Sequence, residues 1–426
     1  MYKLEFELKQ HTPIIHFQAR DIGATLRASE VKPKLDRFIL TEIGKKHVQD
    51  PTLSKTDPYE RGIEYFKKED DKARKCHEKT NERLELYLIP GQEGALNYKL
   101  SFRLEKNDQP EYSLCLVQNP QKENLKKLKS IAKRNLSIDL KVFYQTAYFA
   151  NEDKVKLTEG NEPDWSKIRL GLFDKGKIIG KTLCNHEGLL DQLSEHIEAF
   201  FLLHNFGSRQ TKGFGSYTVK KILISDQSCK LKNVSLKYNT LKGLKTFFKG
   251  KAFLIKPENN SPVSSLSLLK TISSIHNKLR NNFLKKRFEN NERKIEKDFV
   301  KQVAEGVHLT EEERGHYRFV RALLGLPRQF EFPDNEPPKS KRVVVQHIES
   351  DPDKVTIDRF ASPLLYKPID ERIFVIMYDI PKELLGAKFS FKTLEENDQD
   401  GQILSIPNKI SLKGLLSNNQ GYFEIL

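Results

Sequence analysis

Apolar and polar residues alternate strictly along the first segment of the chain. The apolar positions are Tyr2, Leu4, Phe6 and Leu8, and the polar positions between them are Lys3, Glu5, Glu7 and Lys9. A period of two is typical of a β-strand with one buried face. The chain is therefore predicted to begin in a sheet.

Helical spacing follows in "RASEVKPKLDRFIL". The apolar stripe of this predicted helix consists of Val31, Leu35, Phe38 and Ile39. Ser29 is expected to cap the helix, and Pro33 is tolerable there only if it falls in the first turn. Residues 50–82 are charged and poor in apolar side chains, which predicts an inserted arm or mobile loop.

The remainder of the first half predicts further strands and one more helix. Strands are expected in "LELYLIP", "LNYKLSFRLE" and "LSIDLKVFYQTAYFA", and a strand pair joined at Asp174 to Gly176 in "IRLGLFDKGKIIGK". Apolar residues at helical spacing in "HEGLLDQLSEHIEAFFLLHNF" predict a helix that ends near Asn205 to Gly207, followed by the strand "SYTVKKIL". This order is that of a ferredoxin-like module, extended by insertions over about residues 1–225.

The second half has a similarly mixed pattern. Strands are predicted in "LKNVSLKY", "GKAFLIK", "KRVVVQHI", "FASPLLYKPI" and "RIFVIMYDI", with a basic helical region from Leu266 to about Lys301 and a late helix in "NKISLKGLLS". We therefore predict an α+β protein of tandem ferredoxin-like (RRM-like) domains with insertions. The predicted domains are residues 1–225 and 226–426, although the boundary could lie anywhere between residues 225 and 250.

Charge points to a polyanionic partner. Lys and Arg total 73 against 58 Asp and Glu, a net charge of +15, and basic protein surface is typical of nucleic-acid binding. The four cysteines lie far apart without CxxC spacing, which favours neither disulfides nor a zinc site and fits a cytoplasmic protein. Because no stretch approaches 18 apolar residues, neither a membrane span nor a signal peptide is expected.

The stretch "HNFGSRQTKGFGSYTV", residues 204–219, is the strongest candidate for a binding loop. It has the wrong order for a Walker loop, and a dinucleotide fingerprint would require a following helix where "SYTVKKIL" predicts a strand. What remains is a helix-to-strand loop whose backbone could approach a phosphodiester, with Arg209 and Lys212 supplying charge and Phe214 stacking on a base. The alternative is that the glycines only turn the chain.

Several motifs in order resemble the RAMP superfamily of CRISPR-associated proteins. "GSRQTKGFGS" is similar to its glycine-rich loop, and "TPIIH" with "LRASEVKPKLDR" to its N-terminal pattern, which places Ser29, Lys32 and Arg37 at motif positions. Pro33 departs from the family, which often has Gly there. "ALLGLPRQF" and "DRFASPLLYKPI" resemble the later part of the first subunit of the Cmr effector, the type III-B complex.

The resemblance implies a noncatalytic subunit that holds guide RNA (crRNA) or its target near the guide 3′ end, together with other RAMP subunits. It implies no cofactor and no metal. The residues expected to bind RNA are Arg27, Ser29, Lys32, Lys34, Arg37, Gly207, Ser208, Arg209, Gln210, Lys212, Gly213, Phe214 and Gly215.

Other functions stay open from the sequence. Some superfamily members cut guide precursors without metal through a histidine general base, for which His11, His16 and His204 are the candidates. No HxxxH or HExxH spacing suggests a metal site. The chain could also be another RAMP backbone subunit, or an adaptor that binds only protein.

Overall fold

The structure is a computed structural model. It describes residues 1–15, 26–80, 84–105, 111–116, 126, 129–130, 133–134, 140–144, 170–173, 177–225, 230–255, 264–284, 294–326, 329–332, 341–348, 357, 360, 362–393, 401–409 and 411–426.

The described strands and helices, in chain order, have the following bounds. The strands are β1 (Tyr2–Gln10), β2 (Ile14–Ile15), β3 (Tyr98–Glu105), β4 (Glu111–Leu116), β5 (Leu140–Tyr144), β6 (Leu170–Phe173), β7 (Lys177–Cys184), β8 (Tyr217–Ser225), β9 (Leu231–Val234), β10 (Ala252–Ile255), β11 (Lys294–Ile295), β12 (Tyr317–Arg318), β13 (Gln329–Phe332), β14 (Lys341–Ile348), β15 (Leu364–Ile369), β16 (Arg372–Met377), β17 (Lys388–Thr393), β18 (Gln402–Ser405) and β19 (Phe423–Ile425). The α-helices are α1 (Ala28–Lys46), α2 (Pro58–Thr80), α3 (Glu187–Leu203), α4 (Leu241–Phe248), α5 (Ser265–Lys278), α6 (Glu296–Ala304), α7 (Glu311–Gly315) and α8 (Leu412–Ser417).

These elements form two compact units. The first comprises Met1–Phe247, Pro262–Lys270 and Lys367–Arg372, and the second comprises Phe248–Ser261, Thr271–Tyr366 and Ile373–Leu426. The α+β class is confirmed, since helices and largely antiparallel sheets occur throughout. The division at residue 225 and the tandem ferredoxin-like arrangement stay predictions.

The first unit is built on an antiparallel sheet in the order β3–β7–β1–β8–β9. Leu4 and Phe6 of β1 lie in its hydrophobic core, as the alternation predicted, and they share that core with Leu35 of α1 and Phe201 of α3. One face of the sheet is therefore covered by helices. In chain order β1, α1, β3, β7, α3 and β8 give strand, helix, strand, strand, helix, strand.

Helix α1 starts differently from the prediction. Arg27 occupies the cap position, where its side chain makes no capping hydrogen bond, and Ser29 is an exposed residue inside the helix rather than its cap. Pro33 lies beyond the first turn, where its missing N–H leaves the Ser29 carbonyl without its helical partner. The stripe is confirmed in part, because Val31, Leu35 and Ile39 are buried and Phe38 is half-buried.

Of the two alternatives predicted for residues 50–82, the mobile loop was wrong, because most of this segment forms helix α2, packed on α1, whereas an insertion stays a prediction. Ile63 and Phe66 of α2 are buried. A Cβ added at Gly62 would lie 1.9 Å from the Leu40 carbonyl oxygen, so the two backbones touch. Glycine and two well-spaced apolar side chains are enough to dock an otherwise charged helix.

Two strand predictions also fail. Strands β6 and β7 do not pair as a hairpin, because β6 belongs to a second sheet, β2–β6–β4–β5, while β7 pairs with β1 and β3. In "LELYLIP" the described residues contribute only the single bridge between Leu88 and Leu96. By contrast, the strands expected around residues 98–105 and 217–225 and the helix of residues 187–203 are confirmed.

The second unit contains the sheet β13–β14–β17–β18 and most of the sheet β15–β16–β10–β19, since Lys367–Arg372 belong to the first unit. The predicted basic helical region is helical only in part: α5 runs into a π-helical turn, Leu279–Phe283, and the strand β11 precedes α6. No helix among the described residues is long and apolar enough to cross a bilayer.

Candidate nucleic-acid interface

The glycine-rich loop follows directly from the end of α3. Its backbone enters the left-handed region at four positions, Gly207 (φ 79°), Arg209 (φ 61°), Gly213 (φ 86°) and Gly215 (φ 63°). A short 3₁₀ turn, Gln210–Lys212, lies between them. Repeated left-handed residues fold the loop back on itself, which is why glycine is needed there.

The loop is tied to the segment between β1 and β2. The backbone N–H of Ser208 donates to the Ile15 carbonyl at 2.6 Å, and that of Gly215 donates to the Pro13 carbonyl at 2.8 Å. The Thr12 hydroxyl donates to the Gly213 carbonyl at 2.6 Å. The threonine-proline motif and the glycine-rich loop, about 200 residues apart in sequence, are therefore bonded to each other.

The first turns of α1 complete this arrangement. Glu30 Oε1 accepts from the Gly207 N–H at 2.7 Å and from Lys34 Nζ at 3.1 Å. Lys34 Nζ also donates to Gln210 Oε1 at 3.0 Å and lies 5.2 Å from the centre of the Phe206 ring. We call residues 11–15, 27–34 and 204–216 together the loop edge. All three sequence motifs of the N-terminal half meet there.

Lys367 also holds the loop edge, and the sequence analysis missed it. Its side chain is fully buried, and its Nζ donates to the His204 carbonyl at 2.8 Å, to Asn205 Oδ1 at 3.1 Å and to the Tyr217 carbonyl at 3.0 Å. Burial lowers the pKa of Lys367 well below its usual value. A lone cation inside the apolar run "LLYKPI" was the available signal.

His11 is engaged on both ring nitrogens. The Asp370 N–H donates to His11 Nδ1 at 2.9 Å, so Nε2 carries the proton and donates to the Thr218 hydroxyl at 2.8 Å. Burial lowers the pKa of His11, although the Asp370 carboxylate opposes this shift. The imidazole therefore positions the backbone and does not offer a general base to a bound 2′-hydroxyl.

His204 is similarly occupied. Its Nδ1 donates to the Phe200 carbonyl at 2.8 Å, and its ring centre lies 4.5 Å from that of Phe200, with the two rings tilted by 32°. Burial lowers its pKa to about 4. Its neutral ring is part of the packing at the end of α3. The third candidate, His16, lies outside the described residues.

The residues expected to bind RNA differ in their exposure. Ser29 and Arg37 are exposed, and Gly207, Gly213, Phe214 and Gly215 are buried. The half-buried ones are Arg27, Lys32, Lys34, Ser208, Arg209, Gln210 and Lys212.

Three of these residues have contacts within the protein that the sequence did not indicate, and the RNA-binding set as a whole stays a prediction. Phe214 has no exposed surface, so it packs inside the protein and does not stack on a base. Lys32 turns away from the loop, because its Nζ bonds to Asp36 Oδ2 at 2.6 Å and to the Leu96 carbonyl at 2.9 Å. A Cβ on Gly215 would lie 1.9 Å from the Phe206 carbonyl oxygen. The need for glycine at 215 therefore arises within the fold rather than from an approaching phosphate.

The face of the first sheet that points away from α1 and α3, which we call the open face because no described helix packs on it, has a different character. Along β1, β3 and β7 its side chains are Lys3, Glu5, Glu7, Lys9, Lys99, Ser101, Arg103, Glu105, Lys177, Ile179, Lys181 and Leu183. None is aromatic, whereas RRM domains stack bases on aromatic side chains at this position. Along these three strands the sheet therefore has no base-stacking platform.

The described residues contain no group of three or more His, Cys, Asp or Glu side chains placed to hold a metal ion. The chemistry that the loop edge can offer is hydrogen bonding and charge. Arg27, Lys34, Arg209 and Lys212 carry positive charge on or beside a backbone folded by glycine.

Two family models together match nearly the whole chain. Residues 1–283 match the Cmr1 N-terminal domain, and residues 271–425 match the Cmr1 C-terminal domain. The chain belongs to the Cmr1 family. It is thus a type III-B CRISPR effector subunit, and it belongs to the RAMP superfamily, as the sequence motifs indicated.

Two solved structures of Cmr proteins are similar to the chain. A crystal structure of apo Cmr1 from Pyrococcus furiosus aligns over 95% of this chain and 94% of that chain, at 10% identity and a TM-score of 0.35. A cryo-EM structure of the type III-B Cmr-beta complex bound to cognate target RNA aligns over 52% of this chain and 60% of that chain, at 12% identity and a TM-score of 0.27. No curated protein matches the sequence. At these TM-scores only the family models decide the identification.

Proposed function

We propose that this Cmr1-family chain is a noncatalytic RNA-binding subunit of a type III-B effector complex, which holds guide RNA or its target near the guide 3′ end at the loop edge. Other Cmr subunits are its protein partners. The net charge of +15 supports a polyanionic ligand.

One observation carries this proposal. Thr12–Pro13 and the start of α1 are each joined by hydrogen bonds to the loop of residues 207–215, which is remote from both in sequence, so the three motifs form one edge. Positively charged side chains border that edge. Such an arrangement suits phosphodiester binding by shape and charge, which fixes the position of RNA without reading its sequence.

The proposed architecture of the first unit is ferredoxin-like. Its sheet order β3–β7–β1–β8 and its strand, helix, strand, strand, helix, strand order support this interpretation. A second, similar module in the remaining chain stays part of the proposal.

The noncatalytic role is supported by the two described histidine candidates. His11 is buried and His204 is half-buried, and both have lowered pKa values. A general base for RNA cleavage must lie within hydrogen-bond reach of a 2′-hydroxyl, whereas both nitrogens of His11 and Nδ1 of His204 already make hydrogen bonds within the protein.

Sequencing of RNA that copurifies with the native complex tests this function. We expect guide RNA to be recovered with the tagged chain and to be crosslinked to it close to the guide 3′ end. Purified chain incubated with guide precursor should leave the precursor uncut. Recovery without any guide RNA, or without other subunits, would contradict the proposal.

A further inference from the structure

The open face of the first sheet contains a small charged cleft of about 190 Å³. Its walls carry the acids Glu5, Glu7 and Glu105 and the cations Arg103, Lys177 and Lys221. The cleft is smaller than the 300–1,000 Å³ or so typical of small-molecule sites. It is nearer in size to one long side chain than to a whole ligand.

The strand register places the acids at the centre. Glu5 and Glu7 lie on the middle strand β1, where Glu7 pairs with Ile179 on one side and Lys221 on the other. Arg103 lies one strand further out, opposite Ile179. The cations thus flank a pair of carboxylates that project from the same face of one strand.

Apolar side chains accompany the two carboxylates. Ile179 lies beside Glu7, and Leu223 lies beside Glu5 on the opposite neighbouring strand. Their surfaces would accept the methylene stem of a lysine or arginine, whose charged head would then reach Glu5 and Glu7.

We propose that this cleft, which we call the sheet cleft, docks a neighbouring protein subunit through one basic side chain bordered by acids. The partner's central cation would form ion pairs with Glu5 and Glu7, and the partner's surrounding acids would form ion pairs with Arg103, Lys177 and Lys221. This inference rests on the proposed function, because it needs a chain that works within a multisubunit complex.

Charge argues against RNA as the occupant of the sheet cleft. Arg103, Lys177 and Lys221 border the cleft, but a phosphodiester at its centre would lie beside the carboxylates of Glu5 and Glu7 on the middle strand, and like charges in a partly desolvated cleft repel. The acids of the cleft already have intramolecular partners: Lys3 Nζ is 2.7 Å from Glu5 Oε1, Lys220 Nζ is 4.0 Å from Glu7 Oε1, and Arg103 Nη2 is 3.8 Å from Glu105 Oε1. A protein with the complementary pattern can exchange these pairs for its own.

The test uses the full chain assembled with the other subunits of its own Cmr complex. The double variant Glu5→Gln/Glu7→Gln keeps side-chain shape and removes both charges. The matched control is Glu311→Gln/Glu312→Gln, which makes the same change at exposed residues of α7. We expect the first variant to lower the affinity for the remaining subunits by about 10-fold or more, with the control within about 2-fold. Both should melt like the wild type.

Two further readouts identify the partner. A p-benzoylphenylalanine at Ile179 should crosslink to a subunit peptide that contains Lys or Arg. RNA affinity of the isolated Glu5→Gln/Glu7→Gln chain should be unchanged or higher. Crosslinks to RNA, no crosslink above background, or assembly equal to the control would overturn the docking proposal. If the wild-type chain joins no complex at all, the proposed function fails as well. If the wild-type chain joins the complex and the Glu5→Gln/Glu7→Gln variant assembles as well as the control variant, the docking proposal alone fails.

Discussion

The loop edge and the sheet cleft both carry acidic and basic side chains, but cations outnumber acids at the loop edge only. At the loop edge Arg27, Lys34, Arg209 and Lys212 accompany the acid Glu30, which is itself held by the Gly207 N–H. In the sheet cleft three acids and three cations balance each other. Both surfaces belong to a chain of net charge +15. Net charge therefore suggests a polyanionic ligand, whereas only the local arrangement of charges indicates which surface receives it.

The two regions also differ in how their backbone is fixed. The loop edge depends on left-handed residues and on hydrogen bonds between remote segments. The sheet cleft sits on regular antiparallel pairing, where side chains are replaceable without moving the backbone. Substitutions at the loop edge should therefore separate into those that break the fold and those that change binding.

The largest effect is expected for Gly215→Val. The new Cβ would lie 1.9 Å from the Phe206 carbonyl oxygen, at a φ of 63° that valine avoids, so little folded protein should be recovered. Gly250→Ala is the control, because its φ is 73° with nothing within 4 Å of an added Cβ. It should cost about 1–2 kcal/mol in a thermal or urea melt. A Gly215→Val chain that melts normally and loses only RNA would show that phosphate contact, not packing, requires the glycine.

Phe214→Ala should come next. Removing a fully buried phenylalanine is expected to lower the free energy of unfolding by about 3–5 kcal/mol. RNA affinity, measured per folded molecule, should stay the same, because the ring does not reach the surface. Phe214→Leu should fold with a smaller loss of stability. A stable Phe214→Leu chain whose RNA affinity falls sharply would restore the base-stacking role.

Acid should destabilise the first unit through His204. Its folded-state pKa of about 4 lies below the usual 6.5, so the folded state binds fewer protons and stability is complete above about pH 6.5. Between pH 7 and pH 5 the histidine should remove about 2 kcal/mol, as the unfolded chain becomes protonated first. Urea melts of His204→Gln should show a correspondingly shallower decline. An equal decline in both proteins would assign the effect to other groups, such as His11.

Local patterns allowed much of the first unit to be predicted. The alternation in β1, the stripe on α1 and the helix–loop–strand sequence around residues 187–225 each follow from side-chain period and glycine content. The predicted elements therefore place the three motifs correctly along the chain. The motifs lie at one edge because β1 and β8 are neighbours in the sheet.

What the sequence did not reveal depends on distant contacts. Helix α2 was missed because its few apolar residues dock only once α1 presents Gly44 and Leu40 to it. Lys367 contacts residues about 150 to 160 positions away, which no local pattern encodes. Phe214 was assigned to RNA because a loop aromatic has no period that would distinguish a buried ring from an exposed one.

The smallest effect is expected at the cations of the loop edge. Arg209→Asn removes a charge from a left-handed position that asparagine tolerates, and Lys212→Gln removes one from the adjacent turn. Each should weaken RNA binding by about 3- to 10-fold at low salt and reduce the salt slope by about 0.7. Lys99→Gln and Lys181→Gln on the open sheet face are the matched controls and should change binding by less than about 2-fold. Equal effects at both surfaces would contradict the claim that RNA binds at the loop edge and not on the open sheet face.

The most direct test of the account is ultraviolet crosslinking of RNA to the native complex, with the crosslinked residues of this chain identified by mass spectrometry. We predict crosslinks within residues 207–216 and 27–34, and none on the outward positions of β1, β3 and β7. Crosslinks concentrated on that open face, with the loop edge unmarked, would contradict the claim that the glycine-rich loop holds the RNA.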